Sequence, residues 1–302
     1  GGGLATTHGN PNTYSRLGSI IGFTDTEEKT LKAVYEILTV QRDFGNRVDR
    51  KLSRLKYTVD KLTVEGFKKE LENRIGFEFE PERKYTFTER SDRFGWEQNH
   101  QGKWFYTLFV EHGVVKPEQK QFLYELAQLD ISNFIFSGNQ NLILGEIEER
   151  NKTKVEALLL QHDIEKQVSA LRKNSMACVA LPTCPLALAE AQRYLPELVT
   201  KIEPILAKYE LSNDEISIRM TGCPNGCGRP YVAELGFVGT GPEQYNFMLG
   251  GDRLGTRLNK IYKEKQSETQ ILDEVDVLLG KYVKGKLENE TFGDFAFRTI
   301  LN

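Results

Sequence analysis

Thr221-Gly222-Cys223-Pro224-Asn225-Gly226-Cys227-Gly228-Arg229 is the stretch on which the reading of this 302-residue chain turns. Just before it, Ile216-Ser217-Ile218-Arg219-Met220 alternates like a strand that ends at Gly222. After it, Val232-Ala233-Glu234-Leu235-Gly236-Phe237-Val238 resumes as a second strand. Between the two, glycines let the backbone approach a bulky ligand closely, and prolines stiffen the path. The pattern predicts a strand–loop–strand frame that presents two thiols from a rigid mount.

The chain has 4 cysteines, and the other two, Cys178 and Cys184, form a second close pair about forty residues upstream. A chain of this length does not need disulfide staples, so two thiol pairs point to a metal centre. Zinc knuckles space their cysteines by about two residues, so that a tight turn aims both sulfurs at one ion. Here five residues separate Cys178 from Cys184 and three separate Cys223 from Cys227. These looser spacings favour an iron–sulfur cluster, whose irons lie several ångströms apart. Pro182, Pro185 and Pro224 suit a stiff, dry wall around such a cluster. Structural zinc is the alternative, as are four buried thiols acting as small hydrophobes. Pro185 also marks a place where a helix over 186–191 could begin, its N-terminal dipole aimed at the sulfurs.

Composition narrows the class. Apolar residues make up 39% and charged residues 27%, and 40 Lys+Arg against 43 Asp+Glu leave a net charge of −3. That balance provides no whole-chain field for nucleic acid or an anionic membrane. The most apolar stretch, 177–189, is interrupted by two prolines and two cysteines and is far from a membrane span. Gly1-Gly2-Gly3 has neither the basic nor the apolar region of a signal peptide, so a reducing cytoplasm is expected. The missing initiator Met suggests a piece of something longer. From 42 to 61 the chain holds seven basic residues against three acidic, a run expected to be a solvated face. Docking of an acidic electron donor, or contact with a polyanionic cofactor, is the functional alternative. His8, His100, His112 and His162 are scattered without ligand spacing.

A faint internal repeat runs through the chain. Gly2-Gly3 leads to a helical pattern of Leu31, Val34, Tyr35 and Leu38 and then to Asp43-Phe44-Gly45-Asn46. Gly250-Gly251 leads to a helix carrying Ile271, Val275 and Leu278 and then to Phe292-Gly293-Asp294-Phe295. The separation from Gly2 to Gly45 equals that from Gly250 to Gly293, 43 positions. Between the copies, a β-rich run at 103–110 precedes a helix opened by Pro117 with Phe122, Leu126 and Leu129 on one face. A strand at 133–136 and a helix bearing Val155, Leu158 and Leu159 follow. This β-α-β-α order predicts a small mixed module. The expected division is 1–80, 81–165 and 166–302.

The cysteine stretch, together with Asn-Ser-Met-Ala-Cys-Val-Ala-Leu-Pro-Thr-Cys-Pro-Leu-Ala at 174–187, resembles the sirohaem-dependent sulfite and nitrite reductases. The likeness continues through Gly-Gly-Gly-Leu…Thr-His-Gly-Asn at 1–10, Gln-Arg-Asp-Phe-Gly-Asn-Arg at 41–47 and Gly-Asn-Gln-Asn-Leu-Ile at 138–143. It extends to Leu-Gly-Gly-Asp-Arg-Leu-Gly-Thr-Arg at 249–257 and Phe-Gly-Asp-Phe at 292–295, and so covers essentially the whole chain. Around Cys178 and Leu249 it is nearer the NADPH-dependent, haemoprotein (beta) subunit branch than the ferredoxin-dependent one. The resemblance implies a mixed α/β, pseudo-twofold haemoprotein fold, present here in part, with a ferredoxin-like small module. It implies one 4Fe–4S cluster on Cys178, Cys184, Cys223 and Cys227, with Cys227 also the axial bridge to a sirohaem. It implies six-electron reduction of sulfite to sulfide in sulfur assimilation and cysteine biosynthesis, with electrons from a flavoprotein subunit using NADPH. Nitrite reduction with ferredoxin as donor is the alternative within the family, and a non-enzymatic zinc-binding interaction module is the alternative outside it.

Asn225, between two ligands, is placed to bond a sulfur or a macrocycle carboxylate, or is simply the residue of an Asn-Gly turn. Gln140 and Asn141, in a run of three amides at a strand end, could reach the same carboxylates; a plain polar turn is the competing reading. The resemblance also places the Arg and Lys residues that bind sulfite upstream of this chain, so no catalytic acid is assigned here. The missing N-terminal half would complete the haem pocket, and neither nucleic acid nor membrane is expected as a partner.

Overall fold

The computed structural model describes residues 2–164 and 167–302; Gly1 and the expected boundary at 165/166 lie outside the described residues. The first unit is helical. α1 (Glu27–Phe44) starts where the Thr26 side chain accepts from the Lys29 N–H, with Glu27 and Glu28 in its first turn, and stops at Gly45. α2 (Leu55–Leu62) and α3 (Val64–Ile75) meet at a sharp bend on Thr63, and α3 ends on left-handed Gly76. Val40, Val59, Phe67 and Leu71 form their core, with Ile37 and Phe44 against it. The helix expected from Leu31, Val34, Tyr35 and Leu38 is present, but all four side chains are exposed. The face that packs on α3 is the other one.

The second unit is a four-stranded antiparallel sheet in the order β1-β2-β4-β3 with two helices. Its elements run β1 (Gly95–Gln98), β2 (Trp104–Leu108), α4 (Pro117–Leu129), β3 (Asn133–Phe136), β4 (Leu142–Ile147) and α5 (Glu149–Gln161). Phe122 and Leu126 of α4 and Val155 and Leu159 of α5 bury against Leu144 and Ile147. Two strands are therefore added to the β-α-β-α reading. β1 is four residues long and only half apolar, and β4 is broken by Gly145, so neither shows a clear alternation. Leu129, expected on the buried face of α4, is largely exposed.

The third unit holds α6 (Ala170–Lys173), β5 (Ser175–Ala177), α7 (Leu195–Lys208) and β6 (Ile218–Thr221). It continues through β7 (Leu235–Gly241), β8 (Gln244–Leu249), β9 (Lys260–Gln266), α8 (Glu268–Gly285) and α9 (Phe292–Thr299). The sheet order is β5-β6-β7-β8-β9, with β5, β6 and β7 mutually parallel and the last two pairings antiparallel. A core of Leu195, Leu198, Ile202, Phe237, Phe247 and Leu278 fills the space under α7 and α8. Ile271, Val275 and Leu278 are buried as their spacing predicts. Glu234, 1% exposed, accepts from Ser217 N–H, Ser217 Oγ and Gly293 N–H, and so ties the sheet to the start of α9. Among the described residues no helix is long and apolar enough to cross a membrane.

A buried histidine also lies away from the cysteines. His112 is 3% exposed and neither ring nitrogen has a partner. Burial pushes it from 6.5 down to about 4, with Arg172 and Lys116 adding to the shift and Glu111 opposing it. The unfolded chain therefore binds this proton first as the pH falls, and stability present above pH 6.5 is lost toward pH 4. The full difference is about 3 kcal/mol. His112→Asn, which tolerates the left-handed backbone at this position, should flatten that acid-side slope in urea melts run between pH 7 and pH 4.5. An unchanged slope would show that His112 is not the group responsible.

Candidate metal centre

Cys178 directly follows β5 and Cys223 lies two residues beyond β6, so both loops leave the carboxyl ends of neighbouring parallel strands. That is where parallel sheets open a crevice for ligands. The chain from β6 to the parallel β7 makes its crossover through the cysteine loop and a short 3-10 turn at Pro230–Val232, in place of a helix. The strand–loop–strand frame is thus present, with its second strand starting at Leu235, three residues later than expected.

The helix expected over 186–191 does not form; that stretch is a series of turns, and α7 begins at Leu195. The reason lies in where its N–H groups go. Leu188 and Ala189 both donate to Gly222 O, at 2.7 and 3.1 Å, so they are unavailable to a helical ladder. Cys184 N–H donates to Ala180 O at 2.7 Å, and Ala187 N–H to Cys184 O at 3.2 Å. The first cysteine loop is therefore clamped onto the second. Only glycine fits at 222, since a Cβ there would lie 2.6 Å from Ala189 O and 2.7 Å from Ala180 Cβ.

The second loop closes through Gly226 N–H to Cys223 O at 3.3 Å and Arg229 N–H to Gly226 O at 2.8 Å. Thr221 Oγ1 lies 3.3 Å from both Cys178 Sγ and Cys223 O, and Gly222 N–H donates to Cys178 Sγ at 3.3 Å. The chain's first residues brace the loop from outside. Thr6 N–H and Tyr231 OH both donate to Pro224 O, each at 2.9 Å, and Leu4 packs with Tyr231, Val238 and Met248.

All four thiols are free; Cys223 is buried, Cys178 and Cys184 are half-buried and Cys227 is exposed. Burial, then the nearby thiols of Cys178, Cys223 and Cys184, push the Cys227 thiol above its ordinary range. The four are thus electrostatic neighbours. Among the described residues, however, no three His, Cys, Asp or Glu side chains converge tightly enough to hold a single ion. Four thiols on two clamped loops, with a backbone N–H and a hydroxyl on Cys178 Sγ, suit thiolate ligation of an iron–sulfur cluster. Cys227 is the most open of the four.

The amides separate into different roles. Asn225 is half-buried between the ligands. Gln140 Nε2 donates to Ala177 O, the residue before Cys178, at 2.8 Å, while its buried Oε1 has no partner. Asn141 is 3% exposed; its Oδ1 accepts from Val110 N–H and its Nδ2 donates to Asp92, so both ends are engaged within its own module. Of the basic run, Arg42, Arg47, Arg50, Lys51, Arg54 and Lys61 are exposed. Lys56 is not: it is 0% exposed, and its Nζ donates to the carbonyls of Gly3, Ala5 and Tyr14. Sequence reasoning missed this residue because a lysine within a charge run carries no mark of burial. His8 is exposed, and His162 pairs with Glu125.

The chain is mixed α/β with two sheets, and carries its thiol loops at the carboxyl edge of one of them. The solved structure of Mycobacterium tuberculosis NirA superposes with a TM-score of 0.85 at 23% identity, over 99% of this chain and 56% of that one, and so shares the fold. The family described as nitrite and sulphite reductase 4Fe-4S domain matches residues 1–79, and the nitrite/sulfite reductase ferredoxin-like half domain matches 97–162. Neither matched segment contains a cysteine. The sulfite reductase [NADPH] hemoprotein beta-component of Leptospira biflexa is 54% identical over 99% of this chain and 55% of its own length. That of Pseudoalteromonas atlantica is 50% identical over 99% and 53%, and that of Salmonella paratyphi B 46% over 99% and 53%. Two domain models of nitrite and sulphite reductases thus match within the chain, and these relatives are about half identical to it over nearly its whole length. The chain spans about half the length of the curated relatives it matches.

Proposed function

We propose that this chain forms the cluster-bearing portion of a sulfite reductase haemoprotein that works in the cytoplasm and is supplied with electrons by a flavoprotein subunit. The observation that carries the reading is that four free thiols lie on two interlocked loops at the carboxyl ends of parallel strands. Cys178, Cys184, Cys223 and Cys227 would hold a 4Fe–4S cluster, and the exposed Cys227 would face the sirohaem. Bound together, those groups would supply single electrons toward sulfite, which needs six electrons and seven protons to become HS⁻ and three waters.

The chain's own residues position and insulate. Thr221 Oγ1 and Gly222 N–H, both at 3.3 Å, stabilise negative charge on Cys178 Sγ, which favours the reduced cluster. Gln140 links the small module to the strand end beside Cys178, leaving its Oε1 free to accept from a donor, and Asn225 lies between the two ligands of the second loop. Asn141 acts one step back, holding the amide run in place. The reading divides the chain at 1–80, 81–165 and 166–302. The rest of the full-length protein would cover the exposed Leu31, Val34, Tyr35 and Leu38 and supply the sulfite-binding cations.

Anaerobic reconstitution tests it. About four iron and four labile sulfide per chain are expected, as for one cubane cluster, and Cys223→Ser should remove both. One tightly held zinc and no iron would overturn the assignment. On the full-length protein, a larger kcat/KM for sulfite than for nitrite is expected; the reverse order would favour a nitrite reductase.

A further inference from the structure

We propose that a single monatomic anion, a halide, occupies the narrow cavity between the small module and the cysteine-bearing sheet, held by Arg219 and Arg90. Arg219, on β6, is 5% exposed, and its partners do not neutralise it. Nη1 meets the Met176 thioether sulfur at 2.8 Å, Nη2 reaches Asn139 Oδ1 at 3.3 Å, and Nε has no partner. Two more guanidinium groups stand close by with equally neutral acceptors. Arg90 donates to Val232 O at 3.0 Å, and Arg229 to Gly138 O at 2.6 Å and Asn139 Oδ1 at 2.8 Å.

Negative charge is short by one. Asp92 acts on Arg219 and Arg229, and Glu234 and Asp252 act on Arg90. Glu215, on the lining, is paired with Arg253. Against Arg90, Arg219, Arg229 and the lining Lys173, the carboxylates Asp92, Glu234 and Asp252 leave one positive charge over. An arginine does not shed its proton, so a buried guanidinium beside two others needs a counter-charge. Burial and the charges of Arg90 and Arg229 all act against the charged form of Arg219, which is the same deficit expressed as a titration.

The space left for that counter-charge is small. The cavity lined by Arg90, Asp92, Asn139, Met176, Ser217 and Arg219 holds about 20 Å³. That is room for one atom of about water size, and too little for an oxyanion with its three or four oxygens. The anion's role would be to hold the small module against β5 and β6, the strands that carry the cysteine loops.

Crystals of the 302-residue chain grown with sodium bromide replacing chloride provide the direct test. An anomalous difference peak within hydrogen-bond reach of Arg219 Nε is expected; density there without anomalous signal, as from water, overturns the proposal. In solution, the thermal midpoint should rise by about 2 °C or more when chloride replaces gluconate at constant ionic strength. Arg219→Met should abolish that rise, and a rise retained in the variant would overturn the assignment. Should the variant fail to fold, the bromide crystals of the unaltered chain still decide.

Discussion

Gly228→Ala should destabilise the third unit by about 3 kcal/mol and reduce iron incorporation at least about tenfold, although it adds one methyl group and touches no ligand. The backbone at Gly228 is not in the left-handed region, so conformational preference is not the obstacle; space is. A Cβ there would overlap Met220 O and stand 3.2 Å from Cys178 N and 3.3 Å from Met220 C. Those are main-chain atoms of β6 and of the first cysteine loop, and no side chain can swing aside. The same two groups are bonded to each other, Cys178 N–H to Met220 O at 3.2 Å. The methyl group would therefore wedge apart the contact that sets Cys178 beside the Cys223 loop. Gly138→Ala is the matched control, because a Cβ at 138 meets nothing within 4 Å. Urea melts and iron and sulfide assays on both variants read the difference. Equal iron content in Gly228→Ala and Gly138→Ala would show that the two loops do not depend on this close approach.

The parts of this site that were legible in the sequence are those set by covalent spacing. Cysteine pairs with five and three residues between them, embedded in Pro and Gly, point to a metal centre and favour an iron–sulfur cluster over a zinc knuckle, because loop length limits how tightly two sulfurs can converge. The β6–loop–β7 frame was legible for a similar reason, since alternation and glycine punctuation are local. What failed was anything decided by a distant partner. The stretch 186–191 has helical composition behind a proline, yet Gly222 O takes two of its N–H groups, a competition no local propensity records. The stripe Leu31-Val34-Tyr35-Leu38 has helical spacing, yet faces solvent, whereas the corresponding face of α8 is buried. Periodicity reports that a face is apolar, not what covers it. Asn141 illustrates the middle case: the amide run was visible, but that Asp92 and Val110 already engage it follows only from the fold.

Lys56→Met should cost about 2 kcal/mol and loosen the cysteine loop from outside. Lys56 sits within a charge run that is otherwise exposed, but its ammonium is sealed beneath Tyr14 and Tyr57, 5.4 and 4.9 Å from the ring centroids. Burial, then the charge of Arg54, pushes it below its ordinary pKa. Its three donors meet three carbonyls, those of Gly3, Ala5 and Tyr14, an arrangement that satisfies the lysine completely while contributing no counter-charge. Methionine has nearly the same length and volume, so the variant fills the space and isolates the hydrogen bonds. It leaves Tyr14 O without a donor, at a cost of roughly 1–3 kcal/mol when buried, while Gly3 O keeps the Arg16 N–H and Ala5 O keeps Arg54 Nη1. The functional consequence follows from the next links in the chain. Gly3 also pairs with Arg16, Leu4 packs on Tyr231, and Thr6 donates to Pro224 O between the Cys223 and Cys227 ligands. Releasing residues 3–6 therefore removes the brace on the loop that carries the exposed thiol. Hydrogen exchange should report faster exchange at Thr6 and Gly226 in Lys56→Met, with α8 unchanged. Lys56→Arg is expected to destabilise as well, since a planar fork cannot reproduce three donors diverging from one atom. Unaltered protection at both amides, alongside an unchanged urea midpoint, would mean that the segment is held by its apolar contacts alone and that the buried lysine is incidental to the site.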